Sequence, residues 1–348
     1  MVLKNPPQGG LFFCAGTWQD AWVVHKTLYP GWRMNTLPAA TPAEALALLR
    51  LPDARLFAQA TALREAAFGR RIVLCAIINA RSGDCAMDCR FCSQSRHNRT
   101  PVDIFPLLPD AVLRERILKL AALPVARIGV VTSGAMLGGD ELDRLCGVIA
   151  ALPGDVRGRV CASLGRLPAE SLARLRAAGL TRLHHNLETS RNFYPQICTS
   201  QTWDQRRNTA LRAVEAGLTV CSGGLFGLGE SWEDRVDFAF SLKGMGVRHV
   251  PLNFLHPHPE TPLAERPPLD ATEALRIIAV FRHILPDATL RVCGGRPLTL
   301  GARQHEIFAA GANALMTGDY LTTRGQGVAH DLAMIEAQGL EAACDVAC

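Results

Sequence analysis

Twelve cysteines stand out in a chain of 348 residues, and three of them are spaced to act as one ligand set. Cys85-Ala-Met-Asp-Cys89-Arg-Phe-Cys92 is a C-x3-C-x2-C run. Three thiolates on so short a backbone can converge on one cube of iron and sulfide. With three protein ligands, one iron keeps an open position, as at a catalytic metal site. A zinc ribbon would need a second C-x2-C pair about 15–20 residues on, and the next cysteine is Cys146. Cys161, Cys221 and Cys293 each sit in a short apolar run (RVCASL, LTVCSG, TLRVCG). On a strand, residues i and i+2 share a face, so Cys293 points the same way as Arg291. Three cysteines from three strands can then meet in one interior. Cys14, Cys75, Cys146 and Cys198 read as small buried hydrophobes and are given no function. Cys344 and Cys348 stand at i, i+4 spacing in the tail, where fraying argues against a ligand role.

The elements that must position these residues follow from periodicity. From about residue 70 onward, short β-branched runs alternate with segments of helical period. Strands are expected at 71–80, 126–132, 159–164, 182–187, 218–223, 248–254, 289–294 and 314–317. Helices are expected at 110–120, 139–152, 168–178, 205–216, 232–243, 271–284 and 301–309, with Asp270 as a cap and Gly179 as a stop. Eight strands separated by helix-length segments predict an α/β fold, a parallel (β/α)8 TIM-type barrel. Residues 1–69 break the pattern and read as an N-terminal helical extension with helices at 41–51 and 56–68. The barrel is expected over 70–325, and 326–348 form a C-terminal helix and a cysteine-containing tail.

Composition removes several classes. Hydrophobic residues make up 48% and charged ones 20%, so a disordered chain is excluded. The formal charge of +5 is spread along the chain, with no basic run that suggests nucleic acid. No apolar stretch reaches about 18 residues, and the N-terminus lacks a signal pattern, so a cytoplasmic protein without a membrane span is expected.

The run INARSGDCAMDCRFCSQS, followed in order by HHNLETS, VCSGGLFGLGE, PLNFLHPHPETPL, RVCGGRP and GDYLTT, resembles the biotin synthase family of radical S-adenosylmethionine enzymes. The resemblance spans roughly residues 70–340. It implies a 4Fe–4S cluster on Cys85, Cys89 and Cys92 that binds S-adenosylmethionine at its open iron. Reductive cleavage would then give a 5′-deoxyadenosyl radical for sulfur insertion into dethiobiotin. By the same resemblance, Asn186 and Asn253 face the substrate, while Glu188, Gly223, Gly224 and Glu230 approach S-adenosylmethionine. His184 and Glu188 depart from the usual Asn and Asp. His256 and His258 receive no role.

The resemblance also implies an auxiliary iron–sulfur cluster held by three strand cysteines and an arginine. Cys161, Cys221 and Arg291 occupy matching positions, but Gly129 stands where the family has the third cysteine. Cys293, two residues after Arg291, is the candidate replacement, and the altered set leaves open a 2Fe–2S or a four-iron cluster. A small electron-donor protein such as flavodoxin or ferredoxin, and a homodimer, are further implications. Two other readings stay open: a related radical mutase or lyase, like methylornithine synthase or the hydrogenase-maturation enzymes, and a non-catalytic iron–sulfur protein.

Overall fold

Strands buried on both faces read as near-continuous apolar runs, and the first of them, β1 (Arg71–Arg81), is buried along most of its length. The computed structural model describes residues 37–343. In it β1 is followed by β2 (Arg127–Thr132), β3 (Val160–Ser163), β4 (Arg182–His184), β5 (Thr219–Cys221) and β6 (Gly224–Phe226). Then come β7 (His249–Phe254), β8 (Thr289–Val292), β9 (Ala314–Met316) and β10 (Glu341–Ala343). The order runs β1-β2-β3-β4-β5-β7-β8-β9, all parallel, and β9 pairs back onto β1 to close a TIM-like barrel of eight staves.

Two features of the sheet differ from the sequence expectation. The fifth stave is broken into β5 and β6, and β6 pairs with β7. The break sits at Ser222–Gly223, where backbones press together. A Cβ on Gly223 would lie 1.9 Å from the Pro251 carbonyl oxygen, and one on Gly224 would lie 2.2 Å from that of Glu188. The second difference is β10, which pairs with the start of β1 from Arg71 opposite Glu341. Its three residues, Glu-Ala-Ala, are too few to carry a strand period.

The expected helices largely stand, as at Asp110–Ala121, Gly139–Ala150, Trp203–Glu215 and Ala271–Ile284. Asp270 accepts from the Thr272 and Glu273 amides, and Thr202 and Ser231 form capping boxes. The helix expected at 301–309 is instead Arg296–Leu300 followed by a 3-10 segment, Gly301–Ile307. Gly295 and Gly301, both at positive φ, bracket the short helix, and glycine adopts that conformation without a Cβ penalty. Before the barrel, Asp53–Phe68 packs Leu56 and Ala60 against Ala279. Cys14, Cys344 and Cys348 lie outside the described residues.

Two buried cations hold the end of the barrel sequence in place. Arg282 donates to the carbonyls of Gly311, Leu285, Pro286 and Ala288 and to Asn313 Oδ1. Arg296 pairs with Asp331 at 2.8 Å, both side chains fully buried, tying the helix Val328–Ala337 to the segment after β8. Breaking one half of such a pair leaves a charge without compensation. Asp331→Ala is therefore expected to lower unfolding stability by about 3–5 kcal/mol in urea titrations. The double variant Arg296→Met, Asp331→Ala should recover part of that loss; a single variant as stable as the parent would refute the assignment.

Candidate active site

The loop after β1 folds so that Cys85, Cys89 and Cys92 all line one cavity of about 410 Å³ at the C-terminal ends of the staves. The loop is held by its own backbone. The Cys85 amide donates to the Gln94 carbonyl, the Arg96 amide donates to the Cys85 carbonyl, and Asn98 Nδ2 bridges the carbonyls of Cys89 and Cys92. Asp88 accepts from the Thr199 and Ser200 amides and both hydroxyls. Against the cost of partial burial, these bonds hold its carboxyl well below the usual range. Burial pushes the Cys92 thiol up to about 11, and nearby Cys85 and Glu188 add to that. Thiols that resist ionising together are ones that a cation would deprotonate on binding.

Cys198, given no role from sequence, stands with Cys89. Their sulfurs are 3.7 Å apart, and the Cys198 thiol donates to Asp88 Oδ1 at 3.1 Å. Only the fold brings residues this far apart in sequence together.

A polar wall comes from the segment after β4 and from β7. Asn186, Glu188 and Asn253 all line the cavity. Asn186 Oδ1 accepts from His184 Nε2 (3.1 Å, for that tautomer) and from the Gly223 amide, and its amide nitrogen donates to Glu188 at 3.4 Å. Asn253 accepts from the Gly294 amide and donates to the Gly224 carbonyl. Each amide still has an unfilled donor or acceptor position. Glu188, at positive φ, pairs with Arg206 at 3.2 Å. Burial raises the Glu188 carboxyl, opposed by Arg206 and His184. Arg206, a cavity cation that sequence reasoning passed over, also binds the Asn186 carbonyl.

Three residues expected to approach S-adenosylmethionine lie off the cavity lining. Glu230 does not line the cavity: its buried carboxylate accepts from the amides of Gly227, Leu228 and Gly229 and pairs with Arg235 at 2.8 Å. It staples its own turn. Gly223 and Gly224 are also absent from the cavity lining, and their lack of side chains serves the close packing against Pro251 and Glu188. His256 and His258, in contrast, do line the cavity.

Deeper in the same cavity lie Cys161, Cys221, Cys293 and Arg291, joined by Cys75 from β1. Arg291 Nη1 donates to Cys221 Sγ at 3.5 Å, while Nε and Nη2 have no hydrogen-bond partner. Burial works to lower the Arg291 guanidinium, but Cys75, Cys221, Cys293 and Cys161 around it raise it above the ordinary arginine value. Burial likewise opposes ionisation of Cys221, yet His184, Arg291 and Arg182 hold its thiol at about 6. Among the described residues, no group of three such side chains is gathered tightly enough for a single metal ion. Ligands to different irons of one cluster stand further apart than ligands to one ion, so thiols ringing a shared space suit a cluster better. Orphaned guanidinium donors facing that space suit an anionic one.

The barrel with a three-cysteine loop after its first strand defines the class. Residues 81–242 match the model of the Radical SAM superfamily, and residues 251–341 match the Biotin and Thiamin Synthesis associated domain. The chain belongs to the biotin synthase family: it is 69% identical over 310 residues to a biotin synthase of Desulfovibrio desulfuricans, covering 89% of this chain and 98% of that one. It is 46% identical to a biotin synthase of Nitratidesulfovibrio vulgaris, covering 86% of each. In fold it is similar to methylornithine synthase, with a TM-score of 0.75 at 19% identity over 91% of this chain and 96% of that one. A maturase of the FeFe-hydrogenase gives 0.76 at 20% identity, covering 96% of this chain and 78% of that one. Replacing Cys85, Cys89 or Cys92 singly by Ala is expected to abolish 5′-deoxyadenosine formation after anaerobic reconstitution, read by chromatography of the products. Parent-rate product from any one variant would refute the triad.

Proposed function

We propose that this chain is a biotin synthase, inserting sulfur into dethiobiotin by radical chemistry with S-adenosylmethionine and two iron–sulfur centres. The observation that carries the reading is one continuous cavity, which joins the cysteine triad at its mouth to the polar wall and to a nest of thiols on its floor. Radical formation and sulfur supply would thereby share one cavity, with the carbon to be attacked held between them.

Cys85, Cys89 and Cys92 are the residues that would hold the 4Fe–4S cluster. When bound, that cluster supplies the electron that cleaves S-adenosylmethionine. The chain's own groups do the rest. Glu188 offers a carboxylate to ribose hydroxyls, and Arg206, beside it at 3.2 Å, offers a guanidinium to a carboxylate. Asn253 can both donate to and accept from a cyclic urea. His184 fixes the orientation of Asn186 through their 3.1 Å bond. Cys161, Cys221 and Cys293, with Arg291, are the candidate auxiliary ligands. Thr322, bonded through its hydroxyl to that of Ser93 at 2.9 Å, and its neighbours Leu321 and Thr323 close the rim.

Gly129, lacking the family cysteine, favours a second reading: a radical mutase or lyase that needs the triad alone. The family reading also carries with it an electron-donor protein such as flavodoxin or ferredoxin, a homodimer and a cytoplasmic setting. Among the described residues no helix is long and apolar enough to cross a membrane.

Reconstituted protein with dithionite, S-adenosylmethionine and dethiobiotin should form biotin, and dethiobiotin should stimulate 5′-deoxyadenosine release. Release without stimulation, and without biotin, would favour the mutase reading. Asn253→Ala should weaken dethiobiotin binding by about 1–3 kcal/mol, the cost of unpaired buried polar groups, while keeping the triad's iron. Unchanged affinity would remove Asn253 from the substrate site.

A further inference from the structure

Cys75 was an unassigned cysteine in sequence, yet the barrel places it in the ring of auxiliary thiols. In this fold, inward side chains stack in layers of four drawn from alternate staves, because strand tilt shifts the level by about one residue per stave. The register puts Cys75 opposite Arg127, Gly129 opposite Cys161, Leu183 opposite Val220, Cys221 opposite His249 and Pro251 opposite Arg291. Allowing one residue per stave, the inward residues level with Cys75 on the third, fifth and seventh staves are Cys161, Cys221 and Arg291. Cys293, the residue that follows β8, stands two beyond Arg291, donates its amide to the Leu252 carbonyl of the sixth stave and lines the same cavity. Each alternate stave thus contributes one thiol: Cys75, Cys161, Cys221 and Cys293. All four are buried, at 6%, 9%, 2% and 1% exposure.

Gly129 leaves the second stave without a thiol, and space there is tight. A Cβ at residue 129 would lie 3.0 Å from Ile77 Cγ2 and 3.7 Å from Cys161 Sγ. Ile77, two residues after Cys75, fills the space beside the second stave, so a side chain at 129 would press on it and force it to give way by a few tenths of an ångström. The ring instead closes through the neighbouring strand. Arg291 sits among all four sulfurs, with Nε and Nη2 unpartnered and no carboxylate paired with it among the described residues.

We propose that Cys75 is a ligand of the auxiliary iron–sulfur cluster, completing a set of four thiolates with Cys161, Cys221 and Cys293, while Arg291 neutralises the cluster's charge without ligating it. This rests on the biotin synthase reading and deepens it. Four thiolates, one from each alternate stave, can ligate every iron of a four-iron core.

The test uses the full chain with Cys85, Cys89 and Cys92 all changed to Ala, so that after anaerobic reconstitution any bound iron and acid-labile sulfide belong to the auxiliary site. That protein should retain iron, sulfide and charge-transfer absorbance. Adding Cys75→Ser, or Cys75→Ala as a second variant, should remove all three, as should Cys293→Ser. Adding Arg291→Met should leave the iron in place, and Cys146→Ser, on the helix Gly139–Ala150, should change nothing. Circular dichroism and thermal melting establish that each variant is folded, and a Cys75 variant that melts like the parent but binds no iron supports the assignment. Undiminished iron in both Cys75 variants would overturn it. So would iron retained in Cys293→Ser but lost in Arg291→Met, which would make the arginine the ligand. No iron in the triad-less protein itself would overturn the auxiliary centre, and with it the sulfur-insertion reading, which distinguishes that failure from the failure of Cys75 alone.

Discussion

A buried positive charge with no acidic partner is the constraint on which the barrel interior turns. Arg182 and Arg291 lie inside the staves, and among the described residues neither pairs with a carboxylate. Arg182 donates to His249 Nε2 at 2.7 Å and to Thr219. Burial, with Arg182, Arg291 and Arg127 beside it, keeps the His249 ring neutral down to about pH 2. Uncompensated guanidinium groups are costly in a low-dielectric interior. Among the described residues the groups that offset them are thiols, Cys161 and Cys221 for both and also Cys75 and Cys293 for Arg291, and a floor of thiols and cations suits an anionic group.

The same economy of space governs the mouth of the barrel. Gly223 and Gly224 allow the fifth stave to touch β7 and the Glu188 backbone. That contact holds Glu188 at positive φ, where its carboxylate meets Arg206. Glu230 closes the following turn on itself, so the turn needs no ligand to keep its shape. Asn98, Asp88 and Ser95 hold the cysteine loop through side-chain bonds to its backbone or to the segment 199–200. The cavity walls are thus built before any ligand arrives, which reduces the ordering that binding must impose.

Similarity to methylornithine synthase and to the hydrogenase maturase reaches the fold alone, since identities are near 20%. What separates this chain from a generic radical barrel is chemistry on the inner faces of its staves. Asn253, Cys75, Cys161 and Cys221 belong to strand positions, where a side chain's direction is set by the pleat, while Asn186 and Cys293 lie just past the ends of β4 and β8.

Much of this was determined by the sequence alone. The C-x3-C-x2-C spacing places three thiols in one loop whatever surrounds it, and the β-branched runs set eight staves, most within one or two residues of their ends. Capping at Asp270 was equally local, because a cap is a bond between near neighbours. Tertiary structure decided what depends on residues distant in the chain. Sequence cannot say that Glu230 would be consumed by its own turn, or that Gly223 and Gly224 would face backbone. Nor can it reveal that Cys198 would stand beside Cys89 or that Arg206 would reach Glu188. Cys75 is the clearest case. Its neighbours in sequence mark it as a strand filler, but barrel closure brings β1 and β9 together, and the tilt of the staves sets which inward residues share a level. That level is a property of the closed sheet, and no single strand contains it.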